Sequence, residues 1–365
     1  MIRLFTILLF TSIIGVLHAQ NQQVKTYYEE ENLKIKEVFE QRSGVRDGAY
    51  SLYYESGSLA VIGQFKSGQR QGVFVDFFPG TQDTLRLTNY LNDKKEGIST
   101  TFDEDGNKIQ EVSYHENQIE GKLLTYFPNG NIKQEANFSN NKPHGETLIY
   151  SENGEILERK QFKSGILEGD QFQYHAGEVP KSIIPYKKGQ IHGTMRMYFE
   201  SGKIKSKINY KSGYQHGEYI QFHENGKIAK IGKYKRGDPD GLFKSFYENE
   251  QLAEQSKYKN GLPIGLAESY FPTGQIEEQI FYDRLSNIEK INTYYESNQI
   301  KKVALYQNGR QHGTTKVYHP NGKIKEELPY VRGMVHGNQK IYNEIGEIVI
   351  ERIFKEGKFV SEKTK

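Results

Sequence analysis

Aromatic and aliphatic residues recur along this chain at even spacings, inside a larger period of 24 residues. Units aligned on their first residue open at Gly48, Gly72, Gly97, Gly121, Gly145, Gly169, Gly193, Gly217, Gly241, Gly265, Glu289, Gly313 and Gly337, and one step alone is 25. A further unit opens at Gln22, with Tyr27, Leu33 and Phe39 in the repeat columns before a two-residue insertion that leads to Gly44. With the opening residue as position zero, position 5 is aromatic in all fourteen units, from Tyr27 and Tyr53 to Tyr342. Position 17 is aromatic as well, displaced by one to Tyr90 in the unit opened by Gly72. Position 11 is usually Leu or Ile, as at Leu59, Ile132, Ile204 and Ile300. Even spacings place residues on one face of strands, whereas helices need a period of about 3.6. The pattern therefore predicts two strands per unit, with positions 5, 11 and 17 on a common packed face.

Between the strands lies a tripeptide such as Glu55-Ser56-Gly57, Pro128-Asn129-Gly130 or Pro320-Asn321-Gly322. A three-residue hairpin loop takes two right-handed residues and then a left-handed one; Pro suits the first, Asn the second and Gly the third. That loop places Tyr126 opposite Ile132 and Tyr198 opposite Ile204, aromatic to β-branched pairs of about 0.2 to 1 kcal/mol each. The return, as in Lys211-Ser212-Gly213-Tyr214-Gln215-His216-Gly217, carries an inner Gly that Asn117 and Asn141 replace in two units, which fits a position of positive φ. The predicted fold is all-β: an elongated, open antiparallel sheet of about fourteen stacked hairpins, each burying its apolar face only against its neighbours. At about 4.8 Å per strand it extends on the order of 130 Å before twist shortens it. The array fills 20–365 and leaves no stretch for a separate catalytic domain.

Only 35% of the 365 residues are hydrophobic, so one compact core is not expected. The 49 basic and 46 acidic residues balance to about +3, which argues against the chain as a whole binding nucleic acid. Residues 1–19 differ from the rest: Arg3, an apolar run from Leu4 to Leu17, and Leu17-His18-Ala19 before Gln20 read as a cleaved secretory signal. A membrane anchor needs about 20 apolar residues, and Thr6, Thr11, Ser12 and His18 interrupt this run. Export to the periplasm or the cell exterior is the expectation. With no cysteine, disulfides contribute nothing to stability there.

Histidine recurs before the opening glycine at His144, His192, His216, His312 and His336. Equivalent positions in successive hairpins lie about 10 Å apart, too far to share a metal, so these read as turn residues capping the return loop. No His-Glu-x-x-His or Gly-x-Ser-x-Gly occurs, and neither an enzyme nor a cofactor is expected. The candidate binding surface is position 6, adjacent to the position 5 column and pointing the other way. It carries Tyr54, Phe127, Phe199, Tyr247, Phe271 and Tyr295, edged at position 12 by Lys133, Lys205, Lys301 and Lys325. An aromatic stripe bordered by cations suits a protein, a glycan or an anionic head group; the alternative is that these rings cover the second face of a thin sheet.

Segments such as Tyr126-Phe-Pro-Asn-Gly-Asn-Ile-Lys, Tyr198-Phe-Glu-Ser-Gly-Lys-Ile-Lys and Tyr210-Lys-Ser-Gly-Tyr-Gln-His-Gly resemble the MORN repeat in its bacterial variant form, over roughly 22–360. Tyr or Phe stands in the second strand where the usual repeat has Trp. The resemblance implies a scaffold that binds proteins or phospholipid head groups, and the bacterial variant often carries the label of a YwqK-type antitoxin. The expected function is an exported, non-enzymatic scaffold with a protein partner. An envelope glycan or anionic-lipid module, or an immunity protein against an exported toxin, are the alternatives.

Overall fold

The computed structural model describes residues 21–29 and 34–364. The signal-peptide expectation for 1–19 and the placement of Leu33 lie outside them. The chain divides into two compact units, up to Gly154 and from Glu155. Each is an open antiparallel sheet of consecutive hairpins, running in the first from Gln22–Tyr27 to Lys142–Tyr150 and in the second from Ile156–Lys163 to Lys358–Thr364. Among the described residues the one helical segment is a single 3-10 turn, Ala176–Glu178.

The hairpin turns follow from their sequences. Phe127 N donates to Asn131 O (2.8 Å) and Gly130 N to Phe127 O (2.9 Å), enclosing Pro128-Asn129-Gly130 with Gly130 at φ 84°. Tyr126 then stands opposite Ile132, and Tyr198 opposite Ile204. The 25-residue step comes from one extra residue in such a turn, where Phe78 N donates to Asp83 O across Pro79 to Gln82. In the return, Asn117 and Asn141 sit at φ 70° and 63°, as their replacement of glycine requires. Each also accepts a hydrogen bond from the preceding return: Lys95 N to Asn117 Oδ1 and Ile119 N to Asn141 Oδ1, both 2.7 Å.

Glu289 opens a unit without glycine because the return before it is replaced by a second hairpin turn. Asp283 N donates to Asn287 O (2.9 Å), Tyr282 pairs with Ile288, and no bulge with positive φ is left to fill. Elsewhere the opening glycine sits in such a bulge, as Gly193 does at φ 115°.

One feature corrects the expected faces. In hairpin after hairpin the register slips before the turn: Thr125 pairs with Gln134 but Tyr126 with Ile132, which leaves Lys133 as an extra residue, and Ser269, Tyr270 and Ile276 repeat the slip. A one-residue bulge reverses the alternation of everything beyond it. Positions 5 and 11 therefore share a face, but position 17 lies on the other, paired across the hairpin with position zero and in line with positions 2 and 15. The rings record this: Tyr50, Phe65, Phe74 and Tyr90, at positions 2 and 17, meet edge to face at 5.2 to 5.7 Å centroid separation along the series. Tyr219, Tyr234, Phe243 and Tyr258 repeat it at 5.4 to 5.7 Å.

The best-buried columns are accordingly 2 and 15, with Phe74, Phe243, Val112, Ala136, Ile208 and Ala304, and small polar residues such as Thr147 and Thr315. Position 5 is half-buried in most units, and on its face Tyr, Glu and Gln form hydrogen-bonded clusters: Tyr126 Oη donates to Glu111 Oε2 at 2.5 Å and Tyr294 Oη to Gln279 Oε1 at 2.6 Å. The first unit is corrected too. Tyr27 pairs with Ile35, two residues later in the sequence than position 11, so Phe39 pairs with Tyr50 in column 15, and Gln41 holds the place of column 17.

Candidate functional site

Position 6 closes the hairpin turn through its backbone, and its side chain reaches forward to the next hairpin. Tyr54 Oη donates to Phe77 O (2.8 Å), Tyr247 to Tyr270 O (2.7 Å) and Tyr295 to Tyr318 O (2.8 Å). His223 and His319 place Nε2 at 2.8 and 3.1 Å from the corresponding carbonyls of Phe246 and Tyr342. A carbonyl only accepts, so Nε2 carries the proton in both. Hydroxyl and imidazole thus serve the same end, satisfying a strand-terminal carbonyl 23 residues on.

The candidate stripe is therefore partly a structural ladder. Tyr54, Tyr247 and Tyr295 spend their hydroxyls inside the array, and all six candidate rings are half-buried. Phe127, Phe199 and Phe271 have no hydroxyl to spend. The lysines are exposed, and three lie over rings of their own hairpins: Lys133 Nζ is 5.7 Å from the Phe127 centroid, Lys205 5.6 Å from Phe199, and Lys301 5.6 Å from Tyr295. Lys325 is exposed in the hairpin whose position 6 is His319. Phe271 and Lys301, from adjacent hairpins, both line a shallow depression of about 390 Å³ with Ser269, Glu278 and Thr293.

The opposite edge holds a second ladder, at the residue before the opening glycine. Glu96, Glu120 and Glu168 accept from the backbone N of Glu116, Asn140 and Lys188 in the next return at 3.0, 2.8 and 2.7 Å. His192 and His336 do the same through Nδ1, from Ser212 N (3.4 Å) and Glu356 N (3.3 Å). The loop-capping role read for the histidines holds at these two, and sequence reasoning missed that glutamates share it. The signal was present, since Glu96, Glu120 and Glu168 stand in the same column as the histidines. Accepting the Glu116 amide, and then the nearby His115, holds the Glu96 carboxyl below the usual carboxylate range; the Asn140 amide and Ser139 do so for Glu120. His115 is raised by its hydrogen bond to Glu96 at 3.0 Å. Burial, followed by its bond to Glu268, pushes Tyr270 up to about 12. Among the described residues no group of three or more His, Asp or Glu side chains is placed to hold a metal, and no helix is long and apolar enough to cross a membrane.

An open sheet of hairpins tied to their neighbours at both edges defines a repeat scaffold. The chain belongs to the MORN repeat variant family, whose model matches residues 46–67, 95–116, 119–140, 143–164, 191–212, 215–236, 239–260, 263–284 and 311–332. MORN repeats are generally associated with binding proteins or membrane lipids. No curated protein matches the chain. Among solved structures, TcdB2-TccC3-Cdc42 is 8% identical with a TM-score of 0.14, over 93% of this chain and 26% of that one. The Photorhabdus luminescens Tc holotoxin pore is 11% identical at 0.16, over 90% and 23%, so this chain spans about a quarter of the length of these toxin chains. A porin-like protein from Bacteroides uniformis is 10% identical at 0.17, over 70% and 92%. At such TM-scores none of them bears on function.

Proposed function

We propose that the chain is an exported, non-enzymatic scaffold whose hairpin-turn edge receives a protein partner. The observation that carries this reading is the recurrence of a lysine over a half-buried ring at the same two positions of separate hairpins, as in Phe127 with Lys133 and Phe199 with Lys205. Half-buried rings lose little entropy on binding, and the exposed ammonium beside each can pair with an incoming carboxylate. Export rests on the sequence of residues 1–19. The test is cross-linking capture from envelope extracts with the chain from residue 20, compared with the triple variant Phe127→Ser, Phe199→Ser, Phe271→Ser. A protein captured by the parent and lost with the variant supports the reading; equal capture by a variant of unchanged β-spectrum overturns it.

A further inference from the structure

The near-neutral chain conceals a segregated face. On the face shared by positions 3, 5 and 14, the strands between residues 183 and 262 set Arg196 directly opposite Lys207, two like charges in one cross-strand pair. Such pairs destabilise a sheet unless a counter-charge joins them. Four residues along the same strand, hence on the same face, stands Lys211. It belongs to a column of exposed lysines, Lys163, Lys187, Lys211, Lys235 and Lys259, one per hairpin at a 24-residue interval. None of these seven cations has an ion-pair partner among the described residues. The acids on this face of the strands from Lys163 to Lys259 are Asp170, opposite Pro185, Glu218, opposite Lys233, and Asp238, opposite Lys235.

Two strands separate successive lysines, so the column advances by about 10 Å per step and covers roughly 40 Å in four. Across the return from Lys211 stands Tyr214, 63% exposed, and the two line an open groove of about 1020 Å³ with His216, Lys235, Arg236 and Asp238. The pitch is about three times the 3.4 Å rise per nucleotide of a duplex strand, so successive phosphates there do not match successive lysines. It is close to the length of one extended disaccharide. A polysaccharide with an acidic group on every second sugar would meet one lysine per repeat and could lay a sugar face on Tyr214.

We propose that this face, along the lysine column, binds a linear acidic polysaccharide of that kind. The surface is separate from the hairpin-turn edge and independent of the protein-partner reading. The probe is a set of hyaluronan oligosaccharides of increasing length, titrated calorimetrically into the whole chain at low salt. Affinity is expected to rise with length up to about four or five disaccharides and to fall as salt screens the charges. Lys187→Gln, Lys211→Gln and Lys235→Gln combined are expected to weaken binding at least about tenfold, while Lys133→Gln, Lys205→Gln and Lys301→Gln leave it unchanged. Tyr214→Ser should weaken it without altering the salt dependence. Lys207→Ala should raise the melting temperature of the free protein yet shrink the shift that the oligosaccharide produces. Absence of binding, equal binding by the lysine-column variant, or tighter binding to polyglutamate, a single-stranded oligonucleotide or anionic vesicles would each overturn the proposal.

Discussion

The ring of Phe74 lies where a side chain on Gly63 would go: a Cβ there would stand 2.6 Å from the ring carbons. Gly63 has no positive φ, so its glycine answers to packing, and Gly232 stands in the same relation to Phe243. Column 15 is flanked by column 2 of its own hairpin and of the next. A large ring in one is accommodated by a missing side chain in the other.

Gly63→Ala is expected to destabilise the protein by about 1 to 3 kcal/mol through overpacking. In a Phe74→Ala background the same change should cost markedly less, because the clash is gone. Urea unfolding of the four proteins checks this, and additive losses would mean that the two positions do not touch.

The hydroxyl of Tyr247 is predicted to contribute through its bond to Tyr270 O. Tyr247→Phe leaves that carbonyl short of a donor and should cost about 0.5 to 1.5 kcal/mol. Phe271→Tyr, which supplies a hydroxyl where the series lacks one, should be neutral or stabilising. Thermal melting of both variants checks the pair; a loss for Phe271→Tyr would show that the hydroxyl finds no carbonyl there.

These two relationships mark what the sequence could and could not reveal. The period, the hairpin, the three-residue turns and the positive-φ sites were legible, because Gly, Pro and Asn reflect local backbone needs. Opposition of Tyr126 and Ile132 followed from the turn alone. The common face of positions 5, 11 and 17 was misread because the bulge intervening at position 12 has no residue signature: Ala60, Lys133 and Glu277 all fill it. A spacing of six between positions 11 and 17 looks even, yet the bulge spends one residue and reverses the face. Bonds from position 6 to the next hairpin escaped notice for another reason: they join units, and a repeat alignment shows columns rather than contacts between them. Charge segregation was hidden by the same error, since Arg196, Lys207 and Lys211 align only once the bulge is counted.

Acid should loosen the return edge. Glu96 and Glu120 have folded pKa values below their ordinary ones, so their contribution is present above the unfolded value and is lost as pH falls through the folded one. Between about pH 7 and about pH 3, the fall in melting temperature is expected to be smaller in Glu96→Gln, Glu120→Gln than in the parent. His115 gives the reciprocal readout. Its raised value reflects Glu96, so its stabilising effect is full below the unfolded pKa and is lost as pH rises through the folded one. NMR titration of His115 should move toward the ordinary histidine value in Glu96→Gln; an unchanged titration would remove the carboxylate as its cause.

Excision of residues 193–216 tests whether each hairpin depends only on its neighbours. The cut brings Gly217, at φ 98°, to the place of Gly193 at φ 115°, so the seam keeps a glycine in the left-handed region. The short strand before the cut, Gln190–Ile191, still ends on Ile191 opposite Tyr186, and residues 217–222 of the strand Tyr214–Phe222 carry the same columns as the strand removed. The shortened chain is expected to be soluble, with an unchanged β-spectrum per residue and a cooperative melt. Excision of 193–204 instead joins the return to a second strand in the middle of its register and should give an aggregated or partly unfolded product. Gel filtration and circular dichroism separate the two outcomes. If the 24-residue excision also aggregates, stability must come from coupling beyond adjacent hairpins, which neither edge ladder supplies, because each of their bonds reaches only the next unit.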